Sequence, residues 1–431
     1  MSDRRSARPV ARAAAILIVL STGAAGGGCG VGDAQGGPIG DSAVVVVQVP
    51  SSAPHMESRT AVHPDRVYPD GSRVVVLPER GRTDGAVVLS RGLLAAGAPA
   101  VAPRGDAVLF AAKPEAGARW SIYEADPRSG RHRLLLRAQT DCTEPDYLAQ
   151  RIVVACADAD TQSGSPAPRW ALYTVSWDGE DLQRMTFGPF SAQAPLALRD
   201  GRILFLMWSA SPHGGAGARF APFTLNPDGT LLEAYAGDEP GNDAPLLGNV
   251  ERDPEWRALE AIPLVVTPAP RGRPSSVDPN STTGMLVGYD ASRSDGIVGP
   301  PIDGPTPTEV LLQTIAAAPH ASSAPGAGAV TPRTVGDRPP GRDVVDLGTA
   351  VVAPDRSFFL EVPADTPLRV RTLDADGTEI ATSSWFWVRP GEVRACFGCH
   401  EGHRAAPVNR PIEAITRRAV RVPAHATGGG G

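Results

Sequence analysis

The sequence predicts a mainly β protein in which a β-propeller precedes a small β-sandwich domain that ends in a C-x-x-C-H motif. The 431 residues include 47 glycines and 43 prolines, about twice the usual combined content, which favours short strands and many turns. Over residues 41–240, short β-branched or aromatic runs alternate with Gly, Asp and Pro turns, and no convincing helix interrupts them. The third observation is a repeat within the same region.

The repeat is marked by Tyr123, Tyr173 and Phe223, which are 50 residues apart. An apolar strand precedes each aromatic residue, and an Asp-bearing turn follows it. A period of this length with several strands per unit is typical of propeller blades, each of which buries its faces against its neighbours. We therefore predict a propeller over residues 41–263, with three clear blades and a fourth around 70–93, while closure of the ring stays open. These units resemble the blades of TolB-like propellers.

The propeller is followed by a linker over residues 264–283, where prolines recur without an apolar period. A β-sandwich is predicted over 284–395, interrupted by a flexible Pro/Ala/Gly-rich insertion at 316–342. A hairpin turn at 374–377 and a final strand at 384–388 complete this domain. The motif that follows is therefore expected to lie at the edge of the sandwich.

That motif is Cys396-x-x-Cys399-His400, in a segment 396–431 that also holds the C-terminal tail. Two thiols at this spacing can add to the two vinyl groups of a porphyrin, and the adjacent imidazole then falls under the ring as an axial iron ligand. We therefore predict one covalent haem c, bound by Cys396 and Cys399 with His400 on the iron. Zinc, with His403 as a fourth ligand, is the weaker alternative because adjacent Cys399 and His400 rarely close one tetrahedral shell.

The sixth iron ligand is less well specified by the sequence. No Met follows the motif, and His425 is a distal candidate, although a solvated terminal histidine is the simpler interpretation. We expect a weak or missing sixth ligand. The aromatic residues 385–387 either wall the porphyrin or belong to the core, and Arg389, Arg394 and Arg404 either pair with haem carboxylates or are surface charges.

Export is predicted from the first 29 residues. Four arginines precede an apolar run over residues 13–20, and small residues then lead to Cys29. The run is too short to span a membrane, which needs roughly 20 apolar residues. We therefore predict that residues 1–29 are a signal peptide of the lipoprotein type, which ends at Gly28-Cys29. We expect a protein of the periplasm, the outer membrane or the cell surface, which contacts the membrane only through a lipid on Cys29. Ordinary cleavage that leaves Cys29 as a thiol stays open.

Cys142 and Cys156 remain once the other three cysteines have been assigned. An oxidising compartment favours a disulfide between them, and the intervening segment is long enough to return as a neighbouring strand. Two separate buried thiols are the alternative. A bridge here would be a structural staple.

Four segments resemble the middle domain of the hydrazine synthase alpha subunit family: 355–363, 373–377, 384–392 and 396–401. A propeller before that domain is also the family's arrangement. The resemblance implies a haem c on the motif. It does not imply hydrazine synthesis, because that enzyme is a multi-haem assembly, whereas this chain has one C-x-x-C-H with 31 residues after it. The family's Tyr a few residues beyond the motif is also missing near Arg404.

Two hypotheses about function remain, since no nucleophile or phosphate-binding motif is present and the net charge of -6 gives no support for nucleic-acid binding. In the first, an exported mono-haem cytochrome-like protein transfers electrons or serves as a redox subunit, and its propeller docks a redox partner. In the second, the propeller is a binding scaffold for a protein or glycan, with a structural, sensory or absent haem. The balance is against an enzyme; a haem-dependent oxidoreductase is the enzyme class that the motif would support.

Overall fold

The computed structural model describes residues 43–53, 68–78, 84–158, 169–209, 219–235, 255–292, 306–316, 343–396 and 410–423. In these ranges, 24 β-strands form six four-stranded sheets, and the helical structure is one 3-10 turn, Ala414–Thr416. No helix in the described part of the chain is long and apolar enough to cross a membrane.

The first propeller blade is built from both ends of the propeller sequence. β1 (Val44–Pro50) pairs antiparallel with β2 (Arg73–Leu77) on one side and with β16 (Trp256–Pro263) on the other, and β3 (Val87–Val88) completes the sheet. All five valines of β1 are buried, because both edges of the strand are paired and both faces are covered. This sheet is the blade that the sequence placed around residues 70–93.

The next three blades are four-stranded antiparallel meanders. Blade two contains β4 (Ala95–Val101), β5 (Val108–Lys113), β6 (Ser121–Ala125) and β7 (His132–Leu136). Blade three contains β8 (Cys142–Tyr147), β9 (Arg151–Ala157), β10 (Trp170–Ser176) and β11 (Gln183–Arg184). Blade four contains β12 (Ala192–Ala197), β13 (Ile203–Ser209), β14 (Arg219–Leu225) and β15 (Glu233–Ala234). Tyr123, Tyr173 and Phe223 lie in the third strand of their blades, so the 50-residue repeat is the blade repeat.

The first strand of each of these blades carries a β-bulge immediately before a proline. Ala98, Glu144 and Ala194 have φ values of 50°, 52° and 51° at the three bulges. The proline that follows removes no ladder donor at a bulge, which is where a strand tolerates it. The bulges also link blades: Glu144 Oε2 accepts a hydrogen bond from Ala194 N at 2.7 Å, and the Tyr68 hydroxyl accepts one from Ala98 N at 2.9 Å.

Two further sheets form the β-sandwich. One has the order β23-β17-β20-β24 and contains β17 (Thr283–Gly288), β20 (Phe358–Pro363), β23 (Val393–Cys396) and β24 (Val420–Arg421). The other has the order β19-β18-β21-β22 and contains β18 (Glu309–Ala316), β19 (Asp343–Val351), β21 (Arg369–Leu373) and β22 (Glu379–Thr382). Leu286 and Leu360 of the first sheet share a core with Leu312 and Val370 of the second. The fold is therefore mainly β, a propeller followed by a β-sandwich, as the sequence predicted.

The predicted hairpin turn at 374–377 joins β21 to β22, and Gly377 adopts a φ of +78° in it. The predicted final strand at 384–388 is wrong. Among the described residues it forms one isolated bridge, between Leu368 and Phe386, and Val388 O accepts a further hydrogen bond from Asp365 N. The segment has the alternating aromatic pattern of a strand, but it is buried on both sides between blade four and the sandwich, and so it lacks a continuous partner strand.

Blade four and the sandwich share one hydrophobic core. Phe205 and Leu225 of blade four belong to the same buried cluster as Leu286, Leu360 and Trp387 of the sandwich region. Blades one to three contribute most of a separate cluster. The propeller is therefore fixed to the sandwich through its fourth blade.

Candidate functional site

The structure describes part of the predicted site. Cys396 lies within the described residues, whereas these predicted or weighed residues lie outside them: Cys29, Cys399, His400, His403, Arg404 and His425. Cys142 and Cys156 face each other in β8 and β9 and are joined by a disulfide in blade three. Where the structure describes the chain, it contains no group of three or more His, Cys, Asp or Glu side chains placed to hold a metal ion.

Cys396 is the last residue of β23, an edge strand of the sandwich. It lies opposite Gly288 in the parallel pairing of β23 with β17, and its side chain is partly exposed while packing against the rim of the core. Gly288 has no room for a side chain, because a Cβ there would lie 2.0 Å from the Phe358 ring. The two strands are therefore closely packed against Phe358 at the level of Cys396.

Tyr289 holds both described ends of the segment that contains the motif. On the upstream side, Tyr289 N donates a hydrogen bond to Cys396 O at 2.8 Å. On the downstream side, Arg410 N donates to the Tyr289 hydroxyl at 3.2 Å, and Arg410 Nη2 donates to Tyr289 O at 2.9 Å. The Arg410 guanidinium also lies 4.7 Å from the centre of the Tyr289 ring. The chain therefore leaves and re-enters the sandwich at one residue.

Asp355 strengthens the downstream anchor. Its Oδ1 accepts hydrogen bonds from the backbone N–H and the hydroxyl of Ser357, and its Oδ2 accepts one from Glu413 N and lies 3.1 Å from Arg410 Nη1. Burial alone would raise the pKa of Asp355, but the hydrogen bonds from Glu413 and Ser357 and the charge of Arg410 lower it overall. The carboxylate is thus held in its charged form.

Residues 410–423 form part of the sandwich, which the sequence had left as a tail. β24 pairs parallel with β20, Ala414 N donates to Ser357 Oγ at 2.9 Å, and Val422 is buried. Sequence reasoning missed this return because two residues of strand carry no detectable period. A run of arginines between 410 and 421 was the only local signal.

A turn of blade four holds the chain just before the motif. Trp387 Nε1 donates to Gly229 O at 3.1 Å, and Arg394 Nη2 donates to Leu232 O at 2.6 Å. In the opposite direction, Leu231 N donates to Glu392 Oε1 at 3.1 Å. These contacts pair backbone groups of the turn with side chains of the approach to Cys396, so blade four positions β23.

The aromatic residues before the motif belong to the core. Trp385, Phe386 and Trp387 are 5%, 8% and 1% exposed. Trp387 packs beside Gly188, so a porphyrin has no access to its faces, and of the two alternatives for these residues the structure supports the core.

Two of the arginines weighed for haem carboxylates make protein contacts instead. Arg389 Nη1 pairs with Asp365 at 2.6 Å, and Arg389 Nε donates to Asp228 O at 2.9 Å. Arg394 contacts blade four and lies over the Phe386 ring, yet its Nε is buried without an acceptor among the described residues. Arg394 is two positions before Cys396 and therefore projects on the same face of β23. This incompletely satisfied donor stands next to the motif.

The arrangement fits covalent attachment of a planar group. A fully buried Cys396 would bar a porphyrin, but this thiol lies at a strand end, at a sheet edge, and is partly exposed. The described chain is anchored on both sides of the motif, at Cys396 and at Arg410.

Residues 317–401 match the family model of the hydrazine synthase alpha subunit middle domain. Over these residues the chain is similar to that family. The matched residues include β19 to β23 and run past His400, so the resemblance stated from residues 355–401 is confirmed.

The solved structure of Kuenenia stuttgartiensis hydrazine synthase has the same fold. It is similar over 88% of this chain and 72% of that chain, with a TM-score of 0.68 and 16% sequence identity. A putative TolB from Agrobacterium tumefaciens is more distant, with a TM-score of 0.31 and 18% identity over 38% of this chain and 56% of that chain. TolB from Acinetobacter baumannii has a TM-score of 0.26 and 15% identity over 38% of this chain and 37% of that chain. A comparison with curated proteins finds no match.

Proposed function

We propose that this chain is an exported mono-haem c protein that passes electrons to or from a partner protein. The haem would be held by thioether bonds to Cys396 and Cys399, with His400 as the proximal iron ligand. The observation that carries the proposal is the position of Cys396, partly exposed at the end of an edge strand, with the motif segment anchored at Tyr289 on both sides.

The residues around the motif have distinct roles in this proposal. A haem c supplies one-electron redox chemistry when it is bound. Tyr289, Asp355 and Arg410 hold the described chain on both sides of the motif, at Cys396 and at Arg410. The half-buried guanidinium of Arg394 places a positive charge beside the attachment point, and such a charge disfavours the oxidised iron. The sixth iron ligand is proposed to be weak or missing, and His425 is the distal candidate.

Two features of the chain support the proposed export. The Cys142–Cys156 disulfide of blade three fits an oxidising compartment. The cationic and apolar start of the chain, followed by Cys29, fits a lipoprotein signal. We therefore propose that the protein works outside the cytoplasm, attached to a membrane through Cys29.

The test is a reduced pyridine haemochrome spectrum of protein exported in a host that matures cytochromes c. Wild type is expected to carry one haem per chain, and a variant with Cys396→Ser and Cys399→Ser none. The matched control replaces the other cysteine pair, Cys142→Ser with Cys156→Ser, and is expected to keep its haem per folded chain. Haem in the first variant, or none in wild type, would contradict the proposal.

A further inference from the structure

Positive charge is concentrated after the motif. Residues 401–431 contain five arginines, two glutamates and no other Asp, Glu or Lys, although the whole chain has a net charge of -6. A local surplus of one sign on a protein of the opposite net charge sets up a directional field, which can steer a partner of complementary charge. The described part of this segment shows where the charges point.

Three of these arginines and two exposed apolar side chains lie within residues 415–421. Ile415 and Val420 are 50% and 44% exposed. The neighbouring arginines are Arg417, Arg418 and Arg421, all exposed. We call these five residues the arginine patch.

Two arginines of the patch pair with carboxylates that are less exposed than the arginines are. Arg417 is 64% exposed and pairs with Glu413, which is 39% exposed; Arg421 is 74% exposed and lies 3.7 Å from Glu361, which is 22% exposed. Exposed pairs of this kind contribute about 0–1 kcal/mol, so the guanidinium groups stay available to a partner. The outermost charges are therefore positive.

The patch is close to the attachment point. In the sheet order β23-β17-β20-β24, Cys396 lies opposite Gly288, Gly288 opposite Phe358, and Val420 opposite Leu360, two residues further along β20. Three strand spacings of about 4.8 Å place Val420 about 14 Å across the sheet from Cys396, with a further offset of about 7 Å along it. Asp355 and Arg410 tie the patch to the same sheet end.

We infer that the arginine patch is the docking surface for an acidic redox protein, which exchanges electrons with the haem at Cys396. This inference rests on the proposed haem, and it places the partner on the sandwich rather than on the propeller. An apolar centre with a charged rim is the usual composition of a protein interface, and electron-transfer encounters are small and electrostatically steered. A positively charged rim accelerates the association of an acidic partner.

An anionic membrane is the competing occupant of a basic surface. Membrane-surface segments are amphipathic helices with a broad apolar face, often with Trp or Phe. The patch instead offers two aliphatic side chains, on a 3-10 turn and a two-residue strand. A protein partner therefore fits it better.

The experiment measures electron transfer to holoprotein whose haem content has been determined beforehand. Reduced flavodoxin, a small acidic electron donor, is mixed with oxidised wild type in a stopped-flow instrument at increasing ionic strength. We expect a second-order rate constant that falls as salt rises, and a decrease of about tenfold or more at low salt in a variant with Arg417→Glu, Arg418→Glu and Arg421→Glu. The corresponding Arg→Gln variant should give an intermediate decrease.

The matched control reverses three exposed propeller arginines, Arg91→Glu, Arg104→Glu and Arg128→Glu, and carries the same change in net charge. Equal rate constants for patch and control variants, or a rate independent of salt in wild type, would overturn the inference. The inference would also be overturned if the patch variant lost binding to anionic lipid vesicles while its rate constant for reduction by flavodoxin stayed unchanged. Full reduction by dithionite shows that a variant with a low rate constant keeps its haem. If wild type carries no haem, the result contradicts the proposed function and not the docking surface.

Discussion

The two ends of the motif segment are anchored by different kinds of interaction. The upstream end, residues 387–394, is held by buried aromatic packing and by hydrogen bonds to backbone groups of blade four. The downstream end, residues 410–423, is held by the carboxylate of Asp355 and the guanidinium of Arg410 near the surface. The upstream anchor therefore depends on exclusion of water, whereas the downstream anchor depends on charge.

The largest expected effect comes from breaking the upstream anchor. Trp387→Ala removes a side chain that is 1% exposed, together with its hydrogen bond to Gly229, and should lower the free energy of unfolding by about 3–5 kcal/mol. Urea unfolding measures this. Trp177→Ala, at a position that is 54% exposed, is the matched control and should cost about 0.5 kcal/mol or less. Similar losses in the two variants would show that blade four does not hold the sandwich.

A partly buried carboxylate in the propeller should give the next largest effect. Burial raises the pKa of Asp146 to about 6, against hydrogen bonds from Ala197 and Tyr147 that lower it. The folded state therefore binds more protons than the unfolded state between about pH 4 and 6, so stability falls as pH rises through this window by up to about 1.4 kcal/mol per pH unit. Hydrogen exchange of β8 and β12 as a function of pH measures it.

Asp146→Asn should remove that pH dependence, since no proton is then taken up. A slope that persists unchanged in this variant would assign the dependence to another group.

The downstream anchor should give the smallest effect, with the opposite sign. The pKa of Asp355 is lowered, so its contribution is present above its unfolded value of about 3.9 and is lost as pH falls through the folded value. Asp355→Asn should cost about 1.5 kcal/mol, the lower end of the usual range for hydrogen bonds to a charged group, and should speed hydrogen exchange in residues 410–423 at neutral pH. Asp374→Asn, in an exposed hairpin turn, is the control. Unchanged exchange in 410–423 would contradict the ionic anchor.

The same contrast separates what the sequence could predict from what it could not. The blades were predictable because Tyr123, Tyr173 and Phe223 recur at a fixed spacing, and such a repeat is a local signal. The prolines after the bulges, 46 and 50 residues apart at Pro99, Pro145 and Pro195, repeat in the same way and would have marked the first strand of each blade.

The surroundings of the motif were less predictable, because they are made by contacts between distant residues. Tyr289 and Arg410 are 121 positions apart, and no local pattern joins them. The aromatic run at 384–388 alternates like a strand, but burial from both sides produces the same composition without a ladder. Cys396 was identified from its motif alone, and its place at the sheet edge came only from the fold.

Covalent haem attachment is tested most directly by mass spectrometry of the exported, processed chain, intact and after proteolysis. We predict an intact mass increased by one haem, carried by the peptide that contains Cys396, Cys399 and His400. An intact mass without haem, from a host that attaches haem to a control cytochrome c in the same cells, would contradict covalent haem attachment at this motif.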